Sequence, residues 1–260
     1  MRCYKEEGSM KIGIIGCGNI TSMLHHCLED IAVAAVYDRH LERAKTAAKG
    51  FGAEAADSFD AFLCHSFDLV IEAASVEAVT SYARPLLERG VSLVLLSSGA
   101  LADVRFKEEL EQAARRHNAR IHIPSGAIFG LDNASIGRIG GLKHVVMKTT
   151  KPPRSFHTEV EAKQCLFKGS AFECIRHFPK NANAAVSLSL AAGVDADVEL
   201  WTDPHASTIR HEIVMEGVFG SVTIGIDNRP SEHNPSTSHL AALSVCALLR
   251  TLGSPLSIGS

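Results

Sequence analysis

The chain has 260 residues and a mass of 27.9 kDa, with 46% hydrophobic and 21% charged residues. This composition excludes an intrinsically disordered chain, a collagen and a small disulfide-stabilised domain, and the length allows one large domain or two smaller ones. With 26 Lys and Arg against 29 Asp and Glu, the formal charge of -3 gives no electrostatic support for a nucleic acid or an anionic membrane as partner.

Cysteine usage and hydropathy point to an intracellular protein. The seven cysteines lack the paired spacing of a zinc site, so we predict no metal and expect reduced thiols that act as small buried apolar side chains. No apolar stretch is long enough to span a bilayer, and residues 1–9 lack the apolar core of a signal peptide. The sequence therefore favours a soluble, cytoplasmic protein. Residues 1–9 precede the first apolar run and are left out of the assignment of elements. The cysteines are Cys3, Cys17, Cys27, Cys64, Cys165, Cys174 and Cys246.

The first half of the chain alternates short apolar runs with helix-compatible segments. Residues 11–15 predict a strand, and a glycine cluster separates it from a helix at 20–28. The run 31–38 is apolar on both faces, as in a buried parallel strand, and a helix follows at 41–49. This alternation predicts right-handed crossovers and a doubly wound, Rossmann-type parallel sheet of the α/β class. Further strands are predicted at 69–73, 91–96 and 120–123, and further helices at 76–89 and 103–117.

After Pro124 the pattern changes to strands with period-two alternation, which are typical of a mostly antiparallel sheet. We predict a nucleotide-binding domain at 10–124, a smaller α+β catalytic and dimerisation domain at 125–237, and a C-terminal helix segment at 238–260 that packs back on the first domain. The predicted strands are 143–150, 195–202, 211–216 and 221–227, and the predicted helices are 170–177, 183–192 and 238–252. Candidates to cap the last helix are Asn234, Thr237 and Ser238.

Gly16 and Gly18 lie between the first predicted strand and the first predicted helix, which is the setting of a dinucleotide-binding fingerprint. The first glycine allows a tight turn, and the second lets the backbone approach a pyrophosphate at the helix N-terminus. The third fingerprint position holds Thr21 in place of Gly or Ala, which implies looser packing of the helix on the strand. The alternative interpretation is a glycine turn that binds no nucleotide.

The end of the second predicted strand carries the residues that select the cofactor. Asp38 lies 20 residues after Gly18, where a carboxylate binds the adenosine ribose hydroxyls of NAD. Arg39 follows it, and an arginine at this position can meet the 2′-phosphate of NADP, the alternative being a solvated loop residue. Ser97, at the carboxyl end of a later strand, is a further cofactor ligand or simply part of a tight turn. The predicted cofactor is therefore NAD or NADP.

Seven segments of the chain occur in one order between about residues 11 and 250. They are 13–20, 72–75, 96–103, 124–132, 149–153, 178–185 and 234–238. With these motifs the chain resembles the family of L-aspartate dehydrogenases that feed NAD biosynthesis. The glycine loop alone is unspecific, whereas the Ser-Gly-Ala-Ile segment at 125–128 and the Phe-Pro-Lys-Asn segment at 178–181 are together specific.

The resemblance implies the activity and the catalytic residue. It implies a homodimer that oxidatively deaminates L-aspartate with NAD or NADP, through iminoaspartate, to oxaloacetate and ammonium. Carried over by position, His211 is the catalytic histidine, and a histidine can give and take a proton near neutral pH. Without the resemblance, His211 is as readily a core or surface histidine, and His205 is a weaker candidate. The family often has Asn two residues before the histidine, where this chain has Ile209.

The resemblance also extends the set of cofactor ligands. It implies that Ala127 binds the cofactor through its backbone amide and that Asn183 binds near the nicotinamide. Asn19, Ile20 and Ala74 lie in matching segments and join the cofactor candidates.

A dicarboxylate substrate requires at least one cation. Lys151, Lys180 and Arg229 flank the motifs and are candidates, although a solvated surface role is the commoner one for each. Asn181, just before a predicted helix, is interpreted as its N-cap. Two other functions stay open: a dehydrogenase or imine reductase of the same fold that acts on another amino acid, and a non-catalytic NAD(P)-binding sensor.

Overall fold

The structure, a computed structural model, describes residues 10–25, 28, 31–229 and 238–256. The chain divides into two compact units, residues 1–124 and 125–260. Within the described ranges, none of the helices has the length and apolar character that crossing a bilayer requires.

Six parallel strands form the sheet of the first unit. They are β1 (Ile12–Ile15), β2 (Val33–Tyr37), β3 (Glu54–Ala56), β4 (Leu69–Glu72), β5 (Ser92–Leu95) and β6 (Ile121–His122). Their order is β3-β2-β1-β4-β5-β6, so the winding reverses between β1 and β4, where such sheets bind ligands. Both central strands are buried along their whole length, which explains their continuous apolar runs. The predicted Rossmann-type sheet is confirmed.

Helices connect the strands of the first unit. They are α1 (Asn19–His25), α2 (Leu41–Phe51), α3 (Phe59–Phe62), α4 (Val76–Leu87) and α5 (Val104–Arg116). Ser75 and Asp103 cap α4 and α5, since their side chains accept hydrogen bonds from backbone amides in the first turn of each helix. The sequence did not predict β3 or α3, because segments of three and four residues are too short to show a period.

The sheet of the second unit is mixed. Its strands are β7 (Leu142–Lys151), β8 (Gln164–Ser170), β9 (Asp197–Thr202), β10 (Ile209–Gly217) and β11 (Gly220–Asn228). The order is β11-β10-β7-β9-β8; only the β7–β9 pair is parallel. The predicted α+β unit with a mostly antiparallel sheet is therefore confirmed. β8 was not predicted, because this edge strand buries none of its residues and shows no apolar alternation.

The helices of the second unit are α6 (Leu131–Ile139), α7 (Ala171–His177), α8 (Asn183–Ala192) and α9 (His239–Leu252). The first three contact the central strands of the sheet. α6 was not predicted, because it contains an asparagine and a glycine, both weak helix formers. Ser238 caps α9 as predicted, whereas Asn234 and Thr237 lie outside the described residues. Packing of the last helix on the first domain stays a prediction.

Candidate active site

The turn between β1 and α1, residues 16–18, has the geometry that a dinucleotide requires. Gly16 has φ +91°, and a Cβ atom there would lie 2.7 Å from the carbonyl oxygen of Ala73 and from the Cα of Ala74. Only glycine fits this close approach of two loops. A Cβ atom at Gly18 would meet no atom within 4 Å, so the backbone there borders open space. The surroundings of the two glycines thus differ: Gly16 lies in the close approach of two loops, and Gly18 borders open space.

Two side chains of α1 support this turn. Thr21 is only 1% exposed, and its hydroxyl donates a hydrogen bond of 2.5 Å to the Gly16 carbonyl. The looser packing that we expected from a threonine is therefore absent, because the hydroxyl anchors the turn from inside. Asn19 Nδ2 is buried and has no hydrogen-bond partner within the described part of the chain, which leaves a donor in the first turn of α1.

Asp38 holds the same turn from the end of β2. One carboxylate oxygen accepts from the Cys17 amide and the other from the His40 amide, both at 2.8 Å. Burial, and next the charge of Asp38, raise the pKa of the Cys17 thiol to about 12. Cys17 is therefore a neutral, apolar side chain, as predicted.

A cavity of about 250 Å³ opens beside the glycine turn in the first unit. The predicted residues Gly16, Gly18, Asp38, Arg39 and Ala74 all line it. Arg43, one turn into α2, lines it as well, and the sequence analysis did not single it out. Because both arginines are exposed, this end of the cavity is open and cationic. It can hold an adenosine ribose with or without a phosphate.

Glu72, the last residue of β4, joins the loops that follow two neighbouring strands. Its carboxylate accepts from the Ala74 and Ser75 amides at 2.8 and 2.9 Å, and from the Ser97 amide and hydroxyl at 3.0 and 2.9 Å. Burial raises the pKa of this carboxyl, and the four hydrogen bonds act against that rise. Both the backbone amide and the hydroxyl of Ser97 thus donate hydrogen bonds to Glu72. The sequence offered one signal for Glu72, a carboxylate at the end of a buried strand.

His211 lies near the start of β10, next to the central strand β7 of the second sheet, and is only 3% exposed. It is directly opposite Thr149 in the pairing of β10 with β7, and the two side chains share a hydrogen bond of 2.9 Å through the Nδ1 atom of the histidine. Nε2 is buried and has no partner among the described residues. Burial, and next the charge of Lys151, lower the pKa of His211 to about 3, well below the neutral range that the sequence argument assumed.

Lys151, two residues after Thr149 on β7, is also buried, at 6% exposed. Its ammonium donates a hydrogen bond of 2.8 Å to Asn181 Oδ1, and burial lowers the pKa of the amine to about 8. The surface role that we considered commoner is therefore wrong for Lys151, whereas Lys180 and Arg229 are exposed. Asn181 is not the N-cap of α8, because Ala182 holds that position and Asn181 turns to the lysine.

Two further residues with hydroxyl groups lie near Lys151, one opposite it in the sheet register and one four residues after it in the chain. Thr202 pairs with Lys151 in the register of β9 with β7, and Ser155 lies in the 3₁₀ turn Pro153–Phe156 that follows β7. Both hydroxyl groups are buried, and neither has a partner within the described ranges. Alternation places the strand residues on one face of the sheet. We call the following set the polar cluster: Thr149, Lys151, Ser155, Thr202 and His211.

Only part of the polar cluster could be recognised from the sequence. His211 and Lys151 were named and the three hydroxyl residues were missed, although Thr149 lies in the matching segment at 149–153. The available signal was the spacing of Thr149 and Lys151, because residues two apart on a strand lie on the same face of the sheet. Ile209 is buried at 3% exposure and supplies no polar contact to the histidine.

The remaining predicted ligands occupy ordinary backbone positions. Ile20 lies in the first turn of α1, and Asn183 is the first residue of α8. The Ala127 carbonyl accepts a hydrogen bond of 2.7 Å from Asn228 Nδ2, which fixes the backbone at that residue. No group of three potential metal ligands occurs among the described residues.

The expectation that the cysteines are buried holds only in part. Cys17, Cys174 and Cys246 are buried. Cys64 and Cys165 are exposed, because they lie on a short helix end and on an edge strand. Cys3 and Cys27 fall outside the described residues.

Comparison with protein families covers nearly the whole chain. Residues 12–124 match the NAD-binding domain of homoserine dehydrogenase. Residues 132–252 match the C-terminal domain of aspartate dehydrogenase. The two matches meet close to the division between the two compact units.

Individual relatives also match this chain over nearly its whole length. L-aspartate dehydrogenase of Methanospirillum hungatei is 45% identical over 96% of this chain and 100% of its own length. The enzyme of the same name from Methanocaldococcus jannaschii is 36% identical over the same shares. The crystal structure of aspartate dehydrogenase from Thermotoga maritima superposes with a TM-score of 0.80 at 30% identity, covering 96% of this chain and 99% of that chain.

Proposed function

The chain belongs to the L-aspartate dehydrogenase family, and from this we propose that it reversibly converts L-aspartate and NAD(P) to oxaloacetate, ammonium and NAD(P)H. It is thus an oxidoreductase that acts on a CH–NH2 group. The observation that carries the proposal is His211, a buried histidine with a free ring nitrogen in the domain that the family shares. A non-catalytic sensor has no use for such a group.

The first unit fits a dinucleotide. The open space at Gly18, the unpartnered amide of Asn19 and the cavity that ends at Asp38 supply a phosphate site and a ribose site. NAD or NADP, when bound, supplies the acceptor for the hydride of the amino-bearing carbon. We propose Gly16, Gly18, Asn19, Ile20, Asp38, Arg39, Ala74, Ser97, Ala127 and Asn183 as its ligands.

We propose that His211 moves the protons of the hydrolytic half of the reaction. When Nδ1 carries the ring proton, it donates to Thr149 Oγ1 and leaves the Nε2 lone pair free. Loss of hydride turns L-aspartate into iminoaspartate, and water must then add to the imine carbon. Nε2 accepts a proton from that water as its oxygen bonds to the carbon, and returns the proton to the nitrogen of the resulting carbinolamine. The C–N bond then breaks as the new hydroxyl loses its proton, so that oxaloacetate and ammonium are released. Because burial keeps His211 uncharged at neutral pH, it enters the cycle as a base.

We also propose that the protein is cytoplasmic, as its cysteine usage and hydropathy favour, and that it is a homodimer, as the resemblance implies. The small net charge of -3 argues against a nucleic acid or membrane partner and leaves the small-molecule substrates L-aspartate, oxaloacetate and ammonium.

Turnover tests the function directly. With ammonium present, oxaloacetate should drive NADH or NADPH oxidation with a kcat/KM at least about 100-fold above that of pyruvate, since a site built for two charged groups rejects an analogue that leaves one unpaired. Preference for another 2-oxo acid would assign a different substrate. Tight NADH binding without oxidation by any oxo acid would make the protein a sensor.

Arg39 should govern the choice between the two cofactors. In Arg39→Ala, the KM for NADP should rise about tenfold and that for NAD less than about twofold, because one charge-assisted contact to the 2′-phosphate is lost. Lys49→Ala removes a positive charge from α2, the helix that follows Arg39, at an exposed position away from the cavity and is the matched control. Equal changes of both KM values in Arg39→Ala would remove this residue from the phosphate site.

A further inference from the structure

Lys151 is a buried cation without a matching anion. Its ammonium group has three donor hydrogens, and one of them is used by the neutral side-chain oxygen of Asn181. No carboxylate forms an ion pair with it anywhere in the described ranges. The nearby Cys174 thiol is no substitute, because burial raises its pKa to about 11 and keeps it neutral. Proteins rarely bury such a charge unless a partner completes it.

Two hydroxyl residues, one opposite Lys151 in the sheet register and one four residues after it in the chain, lack hydrogen-bond partners among the described residues. The hydroxyls of Thr202 and Ser155 are buried and unpartnered in the part of the chain that the structure describes. Thr202 is the register partner of Lys151, and His211 is the register partner of Thr149, two residues before the lysine. The strand members of the polar cluster thus occupy one face of adjacent strands. An ammonium with two hydroxyls is complementary to a carboxylate, which offers about four lone-pair sites.

We propose that Lys151, Thr202 and Ser155 form a subsite that binds one carboxylate of a dicarboxylate substrate beside His211. The identity of that substrate as aspartate or oxaloacetate rests on the proposed function. The subsite itself rests on the unmatched charge and the two free hydroxyls. It makes Lys151 a specificity-determining residue: a substrate without a second carboxylate leaves the buried cation unpaired.

The subsite also couples substrate binding to proton transfer. Burial, and next the positive charge of Lys151, lower the pKa of His211 and so disfavour its protonated form. The negative charge of a substrate carboxylate at the lysine offsets that positive charge near the imidazole. The histidine can then hold a proton during turnover more easily than in the unliganded protein. A monocarboxylate substrate bound elsewhere brings no such compensation.

Binding of succinate, a dicarboxylate that cannot react, tests the subsite without turnover. In Lys151→Met we expect the succinate dissociation constant of the NADH complex to rise by about 30-fold, and in Thr202→Val by about fivefold, as losses of a charged and a neutral hydrogen bond. The NADH dissociation constant should stay within twofold. Lys148→Met is the matched control: the residue lies on the same strand, faces the other side of the sheet over Trp201, and should change neither constant.

The possible results of these experiments test the subsite and the proposed function independently. Unchanged succinate binding in Lys151→Met would overturn the subsite, as would equal binding of succinate and propionate by the wild type. If Lys151→Met does not fold, Thr202→Val and Ser155→Ala decide, and two variants with wild-type succinate affinity overturn the subsite. Lys151-dependent succinate binding in a protein that does not reduce iminoaspartate would support the subsite and reject the proposed function.

Discussion

His211→Asn is expected to lower kcat by at least about 100-fold, because general acid–base catalysis contributes about 10²- to 10⁴-fold, or roughly 3 to 5 kcal/mol. Asparagine keeps a polar side chain opposite Thr149 but offers no nitrogen that can take a proton. Steady-state kinetics with oxaloacetate, ammonium and NADH provide the measurement. The NADH dissociation constant should change less than about threefold, since the glycine turn and Asp38 lie in the other unit.

Thr149→Val separates positioning from chemistry. Valine matches the shape of threonine and removes only the hydroxyl that holds Nδ1, so kcat should fall less than in His211→Asn, by about tenfold, as for the loss of one hydrogen bond. A folded His211→Asn variant that keeps more than a tenth of wild-type kcat would exclude the histidine as the acid–base catalyst. Lys151 would then be the next residue to test, because it is buried two residues after Thr149 on β7, whereas the weaker candidate His205 is exposed.

The substitution His211→Asn should also change how the free energy of unfolding depends on pH. Burial, and next the charge of Lys151, lower the pKa of His211 to about 3 in the folded protein, from an ordinary value of 6.5. Between those values the unfolded chain binds a proton that the folded chain excludes, so the free energy of unfolding falls as pH drops below about 6.5, by up to about 1.4 kcal/mol per pH unit. His211→Asn should lose this part of the pH dependence in denaturant titrations. An unaltered slope would mean that the imidazole is not held neutral.

Glu72→Gln should be the most destabilising change in the first unit. The carboxylate accepts four hydrogen bonds, and an amide offers one oxygen in place of two and sets its NH2 group against a donor. We expect a loss of about 3 kcal/mol in the free energy of unfolding, because buried donors left unpaired cost about 1 to 3 kcal/mol each. The KM for NAD(P) should rise about tenfold or more, since Ala74 at the cavity wall loses its anchor.

The control for Glu72 is Glu54→Gln. Glu54 is an exposed carboxylate of β3 in the same sheet, so its substitution should leave both quantities within about 0.5 kcal/mol and twofold. Equal stability of Glu72→Gln and Glu54→Gln would mean that the carboxylate does not organise the two loops. A loss of stability with an unchanged KM would restrict Glu72 to a structural role.

Long, periodic segments were the part of the fold that the sequence could predict. The helix at 183–192 has the predicted bounds, and β7 extends the predicted strand at 143–150 by one residue at each end. The missed β8 buries none of its residues, and the missed α6 combines weak helix formers, so neither has a local pattern. Edge strands and short helices are defined by tertiary contacts, which lie far apart in sequence.

In the candidate site too, some residues could be placed from the sequence and others could not. Gly16 and Asp38 could be placed because a short-range pattern fixes them relative to one strand and one helix. Lys151 could not, since its burial depends on β9, β10 and the segment before α8, which residue type alone does not reveal. Asn181 was misinterpreted for the same reason. An asparagine before a helix usually caps it, whereas Asn181 Oδ1 here accepts a hydrogen bond from Lys151 of β7.

The unmatched charge of Lys151 has a consequence for how this protein is handled. Phosphate, citrate and sulfate from a buffer are anions that compete for the same ammonium and its neighbouring hydroxyls. Such competition raises the apparent KM of a dicarboxylate and, by mass action, raises the melting temperature of the unliganded protein. Kinetic constants for this chain and for its variants are therefore comparable only when the anions of the medium are the same and are present at equal concentration.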